Sequence, residues 1–214
     1  MPVKNLYIAF VLSFLSIATT NTHAAVNFVN GSFEEPAIPN LYWAYPSSLP
    51  GWSSSTGFGT LNIHGNSLWP AQDGQQHIEF DQRGSTLSQT LSNLTIGTEY
   101  TVTFALAANP DLQATFGLSL NILDGSNVIN SGNFTASSVG YSHQNIGWTD
   151  RTLNFVASRD VLTFQFQRTD ANSNGYGPEL DNVRLTEAVP EPETYAMLLA
   201  GLGLVSAVSI RRKA

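Results

Sequence analysis

Cysteine is absent from this sequence, and its absence removes several kinds of chemistry. The 214 residues can form no disulfide, no thiolate metal site and no cysteine nucleophile. Charged residues are also few, at 12% of the chain, about half the globular average of roughly 25%. Apolar residues are plentiful, so the composition is not that of a disordered chain. Stability must then come from packing alone, which a domain of roughly 160 residues can supply.

Lysine is missing from residues 25–188, the stretch that we interpret as the folded domain. Five arginines stand there against fourteen aspartates and glutamates, which gives a net charge of −9. Nucleic acids and anionic membrane surfaces attract basic proteins, so we expect neither as a partner. A divalent cation suits this charge better.

The first 24 residues read as a secretory signal peptide. Lys4 supplies the positive start, residues 6–18 form the apolar stretch, and Ala24 precedes the expected cleavage site. The alternative is an uncleaved membrane anchor, which the short apolar stretch disfavours. The sequence therefore predicts an exported protein.

A second targeting segment occupies residues 189–214. Its Pro190-Glu191-Pro192 triplet precedes an apolar stretch, 195–210, and then a basic end, Arg211-Arg212-Lys213. A helix over that stretch spans about 24 Å, which is short for a hydrocarbon core of roughly 30 Å. The basic end should stay in the cytoplasm, so that the domain faces outward.

This order of motif, short transmembrane helix and basic tail resembles the PEP-CTERM sorting signal of Gram-negative bacteria. The resemblance implies an exosortase as a partner, which removes the tail near the motif after transient anchoring in the inner membrane. It also implies a link to exopolysaccharide and biofilm, with the cell surface or matrix as destination. The alternative is a permanent C-terminal anchor on a proline-rich stalk.

Between the two ends, apolar residues alternate with polar ones in short runs. The clearest runs lie at 61–63, 76–80, 86–91, 99–107, 116–122, 128–134, 148–157, 162–167 and 180–186, with a further short strand at 26–29. Residues 37–60 carry prolines and aromatics and are interpreted as a long loop. No stretch keeps a helical period, so the pattern predicts an all-β antiparallel sandwich or jelly roll.

Several motifs in this domain occur in a familiar order. They are Asn30-Gly31-Ser32-Phe33-Glu34, Gly51-Trp52, 69–74, 88–91, 97–104, 107–110, 145–148 and 176–183. In this order they resemble the bacterial choice-of-anchor C family, which is related to a plant cell-wall domain of unknown function and to galactose-binding-like modules. The resemblance implies a jelly-roll β-sandwich with an extracellular, surface-associated role.

The same resemblance implies one structural calcium ion. Galactose-binding-like modules often hold calcium where the first turn meets the last strand, and Glu34 and Asp181 match those positions. Carbonyls at Gly31 and Gln76 would complete an oxygen shell. The alternative is that both carboxylates accept backbone amides or pair with Arg184. The odd spacing of Asp181 and Arg184 on one strand predicts that their side chains leave opposite faces.

Aromatic residues suggest a carbohydrate platform, because sugar rings stack on flat aromatic faces while amides and carboxylates bind the hydroxyls. The candidates are Tyr42, Trp43, Tyr45, Trp69 and Tyr176. Each of them could instead pack under the long loop. Trp52 and Trp148 follow glycines within the motifs and are expected in the core.

Catalysis has little support in the sequence, which contains no nucleophile elbow, zinc-binding helix or phosphate-binding loop. His77, Glu79 and Asp81 share one face of a predicted strand, which we expect to face solvent. A pair of carboxylates there would otherwise suit glycoside hydrolysis. The sequence favours a non-enzymatic, carbohydrate-associated surface or matrix protein over a purely structural protein or a glycan-active enzyme.

Overall fold

The fold is built from two antiparallel sheets. A computed structural model describes residues 26–39, 42–172, 174–188, 198–199 and 201–203. Its strands are β1 (Trp43–Ala44), β2 (Asn62–Gly65), β3 (Gln76–Glu79), β4 (Thr86–Leu91), β5 (Glu99–Ala108), β6 (Thr115–Asp124), β7 (Asn127–Ser137), β8 (Thr149–Val156), β9 (Leu162–Arg168) and β10 (Pro178–Glu187), with one 3-10 turn at Phe58–Thr60.

One sheet has six strands in the order β1-β2-β3-β10-β5-β8, and the other has four in the order β4-β9-β6-β7. Every pairing of these strands is antiparallel. The all-β jelly-roll prediction is thus confirmed, and β4 occupies the same residues that its alternation predicted. The last strand, β10, lies in the middle of the larger sheet between β3 and β5.

Alternation along each strand explains the core between the sheets. Leu162, Phe164 and Phe166 of β9 are buried, because residues two apart in a strand point to the same face. They meet residues such as Val102 and Phe104 of β5 from the opposite sheet. Burying one such side chain stabilises a fold by about 1.5–3 kcal/mol, so this layer holds the sheets together without disulfides.

The predicted strand at residues 26–29 is not one. The backbone N–H of Val29 donates to Oε1 of Gln89 at 2.7 Å, and the Val29 carbonyl accepts from Nε2 of Gln89 at 2.9 Å. A side-chain amide therefore takes the place of a neighbouring strand. The long loop predicted at residues 37–60 is confirmed where it is described, with β1 and the 3-10 turn as its regular pieces.

Both targeting segments fall largely outside the described residues. The predicted signal peptide, residues 1–24, lies outside them, as do Pro190, Glu191 and Pro192 of the sorting motif. Among the residues that the structure describes, no helix is long and apolar enough to cross a membrane.

Candidate functional site

A polar cluster lies on the face of the six-stranded sheet that points away from the sandwich core. On β3, Ile78 belongs to the core, so its neighbours His77 and Glu79 point to the opposite face. That face is nevertheless closed, since His77 is 0% and Glu79 is 1% exposed. The prediction that His77, Glu79 and Asp81 face solvent was therefore wrong.

The cover comes from two loops. Trp69 in the β2–β3 loop and Ile146 in the β7–β8 loop pack with Ala107 of β5 into a second, smaller apolar cluster, against which Trp148 is partly buried. The indole N–H of Trp148 donates to the carbonyl of Pro70 at 2.9 Å, which joins the two loops. Trp52 belongs to the main core, as expected, while Trp148 belongs to this cover.

The strand register brings polar residues from three strands into neighbouring positions. Glu79 on β3 is paired with Asn62 on β2 and with Glu179 on β10. His77 is paired with His64 on β2. Paired residues share a face of the sheet, so two histidines and two glutamates meet at the same buried place.

The atoms of this group are close together. His64 Nε2 is 3.3 Å from Oε2 of Glu79, and His64 Nδ1 is 3.3 Å from Oε2 of Glu179. His77 Nε2 lies 3.5 Å from the same Glu179 oxygen and accepts the indole N–H of Trp69 at 3.1 Å. Burial lowers the pKa of both histidines, which favours their neutral forms.

Glu79 is held by donors from several elements. Its Oε1 accepts from Nδ2 of Asn109 at 2.6 Å and from the backbone N–H of Gly177 at 2.8 Å. Asn62 Nδ2 lies 3.4 Å from Oε2. Burial, together with the neighbouring Glu179, raises the pKa of Glu79 to about 7.

Glu179 has a different environment. Its side chain is fully buried, and within the described part of the chain neither of its carboxylate oxygens has a hydrogen-bond partner. Burial raises the pKa of Glu179 well above its usual value. Buried polar groups are almost always paired in folded proteins, so this carboxyl group calls for a physical explanation.

A cavity of about 260 Å³ opens beside this cluster. Its aromatic wall contains three of the five predicted platform residues, Trp43, Tyr45 and Trp69. The polar residues that line it are Asn62, His64, Glu79, Asp81, Asn109 and Asp111. The cavity thus has an aromatic side and a side of carboxylates and amides.

Trp43 and Tyr45 are half exposed, at 52% and 50%. Their rings meet edge to face, with centroids 5.5 Å apart, and the Tyr45 hydroxyl donates to Oδ2 of Asp81 at 3.3 Å. Burial and the nearby Asp81 charge raise the pKa of Tyr45, so its hydroxyl remains a donor. Trp69 is 3% exposed and closes the cavity from within.

The other two predicted platform residues lie elsewhere on the surface. Tyr42 is 62% exposed and Tyr176 is 36% exposed, and neither is among the residues that line the cavity. Sequence reasoning missed His64, Asn62, Asn109, Asp111 and Glu179. The alternation that placed His77 and Glu79 on one face applies equally to Glu179 beside Leu180, but only the register shows that these faces coincide.

The predicted calcium residues hold one loop from two sides. Oε1 of Glu34 accepts the backbone N–H groups of Gln75 and Gln76, both at 2.8 Å. Oδ2 of Asp181 accepts those of Gln72 and Asp73, also at 2.8 Å. Burial raises the pKa of Asp181 to about 7. This geometry is the amide-binding alternative, in which backbone N–H groups surround the carboxylates.

The remaining predicted ligands are engaged as well. The Gly31 carbonyl accepts the backbone N–H of Val183 at 2.9 Å, and the Gln76 side chain binds the carbonyls of Phe33 and Pro36. In the described residues these groups make the contacts of the amide-binding alternative, and calcium binding stays a prediction that chelation can test.

Arg184 departs from its predicted face. Asp181 pairs with Ala105 while Arg184 pairs with Thr103, so three steps along β10 match two along β5. This β-bulge, at Asn182 with a φ of 53°, returns Arg184 to the face of Asp181. There Nη2 of Arg184 lies 3.4 Å from Oδ2 of Asp73 in the same loop.

Comparison with protein families gives two matches. Residues 26–186 match the family described as "Protein of unknown function (DUF642)", and residues 188–213 match the PEP-CTERM protein-sorting motif. Both resemblances stated from the sequence are thus confirmed. The motif marks a protein that is exported, anchored transiently and processed by an exosortase. No curated protein matches the chain.

Solved structures show the same fold. A Stig cyclase from Fischerella sp. TAU, in complex with a pyrrolidinylidene-indole, has 22% identity and a TM-score of 0.56, over 78% of this chain and all of its own. The K1 cleaved adhesin domain of Lys-gingipain from Porphyromonas gingivalis W83 has 14% identity and a TM-score of 0.50, over 68% of this chain and 95% of its own. At these identities the likeness concerns the fold alone.

Proposed function

Because this chain belongs to the DUF642 family and carries a PEP-CTERM sorting motif, we propose that it is an exported surface or matrix protein that binds a glycan without catalysis. The glycan site is the cavity on the outer face of the six-stranded sheet. The observation that carries the proposal is the pair of half-exposed rings, Trp43 and Tyr45, beside the carboxylates and amides of that cavity.

The chemistry of the cavity suits a sugar. Large aromatic side chains normally bury their faces, so two that stay half exposed next to a concave polar surface are suited to a ligand with an apolar face. Oxygens of Asp81 and Asp111 accept hydroxyl protons, and the buried Oδ1 of Asn62 has no hydrogen-bond partner among the described residues. A pyranose ring offers both an apolar face and hydroxyls.

The size of the cavity narrows the ligand class. Its volume of about 260 Å³ is slightly below the range of roughly 300–1,000 Å³ that accommodates drug-sized ligands. We therefore propose that the cavity takes one ring, such as a terminal or branching residue of a longer polysaccharide. An exosortase-processed protein of the cell surface or matrix would meet exopolysaccharide of this kind.

A glycan array probed with the 25–188 fragment tests the proposal, since the main core runs from Phe28 to Leu185 within that fragment. We expect binding to one class of terminal sugar that is lost in Trp43→Ala. Tyr141→Ala is the matched control, because Tyr141 is 42% exposed and does not line the cavity. Absence of any bound glycan would leave a structural matrix protein as the better account.

A glycan-active enzyme is the second candidate, because Glu79 and Asp81 both line the cavity. It is disfavoured because Glu79 Oε1 already accepts two hydrogen bonds, from Asn109 and Gly177, and so has less freedom to act on a glycosidic oxygen. Polysaccharide turnover that Asp81→Asn abolishes would establish this candidate instead.

Processing has its own test. We propose that the mature chain begins at Ala25 and lacks the residues after the Pro-Glu-Pro triplet. Intact-mass measurement of exported protein should give a chain without Arg211 to Ala214. A mass that includes them would favour the permanent anchor.

A further inference from the structure

Three acceptor atoms converge beneath the cavity. Nε2 of His64 lies 3.3 Å from the Glu79 carboxylate, and Nδ1 of the same ring is buried without a hydrogen-bond partner among the described residues. Nε2 of His77 accepts the indole N–H of Trp69, and an indole can only donate, so this nitrogen is unprotonated. Nδ1 of His64 and Nε2 of His77 lie 3.3 Å and 3.5 Å from Oε2 of Glu179.

The buried carboxylate of Glu179 needs a nearby positive charge or a proton. Glu179 is 0% exposed, and in the described chain neither of its oxygens has a hydrogen-bond partner. An unpaired buried carboxylate is strongly unfavourable. Two ring nitrogens lie within 3.5 Å of the same carboxylate oxygen, and a cation bound by all three atoms would supply the missing positive charge.

The distances are those of a metal shell. Zinc binds histidine nitrogen and carboxylate oxygen at about 2.0–2.1 Å, and tetrahedral ligands at that radius stand about 3.3–3.4 Å apart. The two measured separations from Oε2 of Glu179 are 3.3 Å and 3.5 Å. In the described residues, His64, His77 and Glu179 are also the group of ionisable side chains whose ligand atoms all lie within 4.8 Å of one another.

The surroundings of His64 resemble those of histidines that bind a metal ion. A histidine that binds metal usually donates its other ring N–H to a carboxylate, which fixes its tautomer and orientation. Nε2 of His64 lies 3.3 Å from the Glu79 carboxylate, and Glu79 is in turn held by Asn109 and Gly177. The arrangement is pre-organised in β-strands rather than in a mobile loop.

We propose that His64, His77 and Glu179 form a zinc site that joins β2, β3 and β10 beneath the cavity. Two histidines and one carboxylate form a ligand set that zinc accepts while keeping a fourth position. His64 also lines the cavity, so the site lies one side chain away from solvent. The indole of Trp69 competes for the lone pair of His77 and shifts when zinc binds.

The test uses the full chain, purified without a histidine tag and stripped of metal with a chelator. Titration with zinc chloride, followed by calorimetry and elemental analysis, should give one bound zinc per chain and a higher melting temperature. Substitution of Co²⁺ for zinc should give the visible absorption spectrum of a tetrahedral nitrogen and oxygen site. These measurements need no glycan, so their outcome is independent of the glycan proposal.

Variants locate the ion. Glu179→Gln and His77→Ala should abolish stoichiometric binding, and Glu79→Gln should weaken it by about 10–100-fold because the partner of a ligand is lost. Glu99→Gln is the matched control for Glu179→Gln: Glu99 is exposed at the start of β5, at the far end of that strand from Ala107, which pairs with Glu179, so its loss should leave one zinc per chain.

The competing explanation is a proton on Glu179 that hydrogen-bonds to His64. If this explanation holds, the wild-type protein binds no zinc above trace level and its melting temperature does not change when zinc is added. Co²⁺ then gives the spectrum of the free aqueous ion. Zinc that persists in Glu179→Gln would equally overturn the proposal, since the ion would then lie elsewhere. The wild-type cobalt spectrum decides the matter even if a variant does not fold.

Discussion

Replacement of Arg168 by methionine should destabilise the domain strongly, because this side chain joins the two sheets. Arg168 ends β9 of the four-stranded sheet and is fully buried. Its Nη1 donates to the carbonyls of Phe80 and Asp81, at 3.0 and 2.9 Å, where the chain leaves β3 of the other sheet. Its Nε and Nη2 donate to the two carboxylate oxygens of Asp170, at 3.1 and 3.0 Å.

The magnitude follows from what the substitution leaves behind. Methionine fills most of the volume but donates nothing, so the two carbonyls and the Asp170 carboxylate each lose a hydrogen-bond donor, and the carboxylate loses its cationic partner. Removing one member of a buried ion pair costs about 3–5 kcal/mol. For a domain of 150–250 residues, each kcal/mol lowers the melting temperature by about 2–4 °C, so we expect a fall of about 6–20 °C.

The assay is urea and thermal unfolding of the 25–188 fragment followed by circular dichroism. The matched control is Arg159→Met, because Arg159 pairs with Asp124 at 2.9 Å on the surface with 64% of its side chain exposed, and such pairs contribute about 0–1 kcal/mol. Arg168→Lys should recover only part of the loss, since an ammonium group cannot span both carbonyls and both carboxylate oxygens. Equal losses in the two methionine variants would refute the reasoning.

Three further predictions concern acid, packing and calcium. Burial raises the pKa of Asp170, but hydrogen bonds from Arg168 and two backbone amides lower it to a net value below the usual one. The contribution of the Asp170 carboxylate to the free energy of unfolding is therefore complete above the pKa of the unfolded state and is lost as pH falls through the pKa of the folded state. Asp170→Asn should make the free energy of unfolding depend less on pH at the acid end. An unchanged pH dependence would contradict this. Gly177→Ala should cost about 1–3 kcal/mol by urea unfolding, because its new Cβ would overlap the Phe80 carbonyl, whereas Gly59→Ala meets open space and should be neutral within about 0.5 kcal/mol. If calcium binds at Glu34 and Asp181, a chelator specific for calcium should lower the melting temperature, and less so in Asp181→Asn; identical melting in both solutions would exclude a stabilising calcium ion.

The alternation of apolar and polar residues was enough to locate the strands. It could not tell which sheet faces outside the sandwich core are covered by loops. Alternation correctly separated Ile78 from His77 and Glu79, because the two-residue period is a property of the strand itself. Whether the polar face meets water depends on Trp69 and Ile146, which come from two distant loops. No local pattern in β3 reports the packing of those loops.

Strand register and β-bulges could not be predicted from the alternation of apolar and polar residues either. The pairing of Glu79 with Glu179 depends on β10 entering the sheet between β3 and β5, a choice made by the whole topology. The bulge at Asn182 reverses the expected face of Arg184, since one extra residue changes the parity of every later position. Of the five aromatic candidates, Trp43, Tyr45 and Trp69 line one cavity, whereas Tyr42, although next to Trp43 in the chain, and Tyr176 do not, because the loop paths decide which rings meet.

The central claim is that the cavity beside Trp43 and Tyr45 binds a sugar ring. The most direct measurement is isothermal titration of the glycan selected by the array against wild type, Trp43→Ala and Tyr141→Ala. We expect Trp43→Ala to weaken binding at least about tenfold, which corresponds to roughly 1.4 kcal/mol, while Tyr141→Ala retains wild-type affinity. Equal affinity for wild type and Trp43→Ala would contradict the assignment of this cavity as the glycan site.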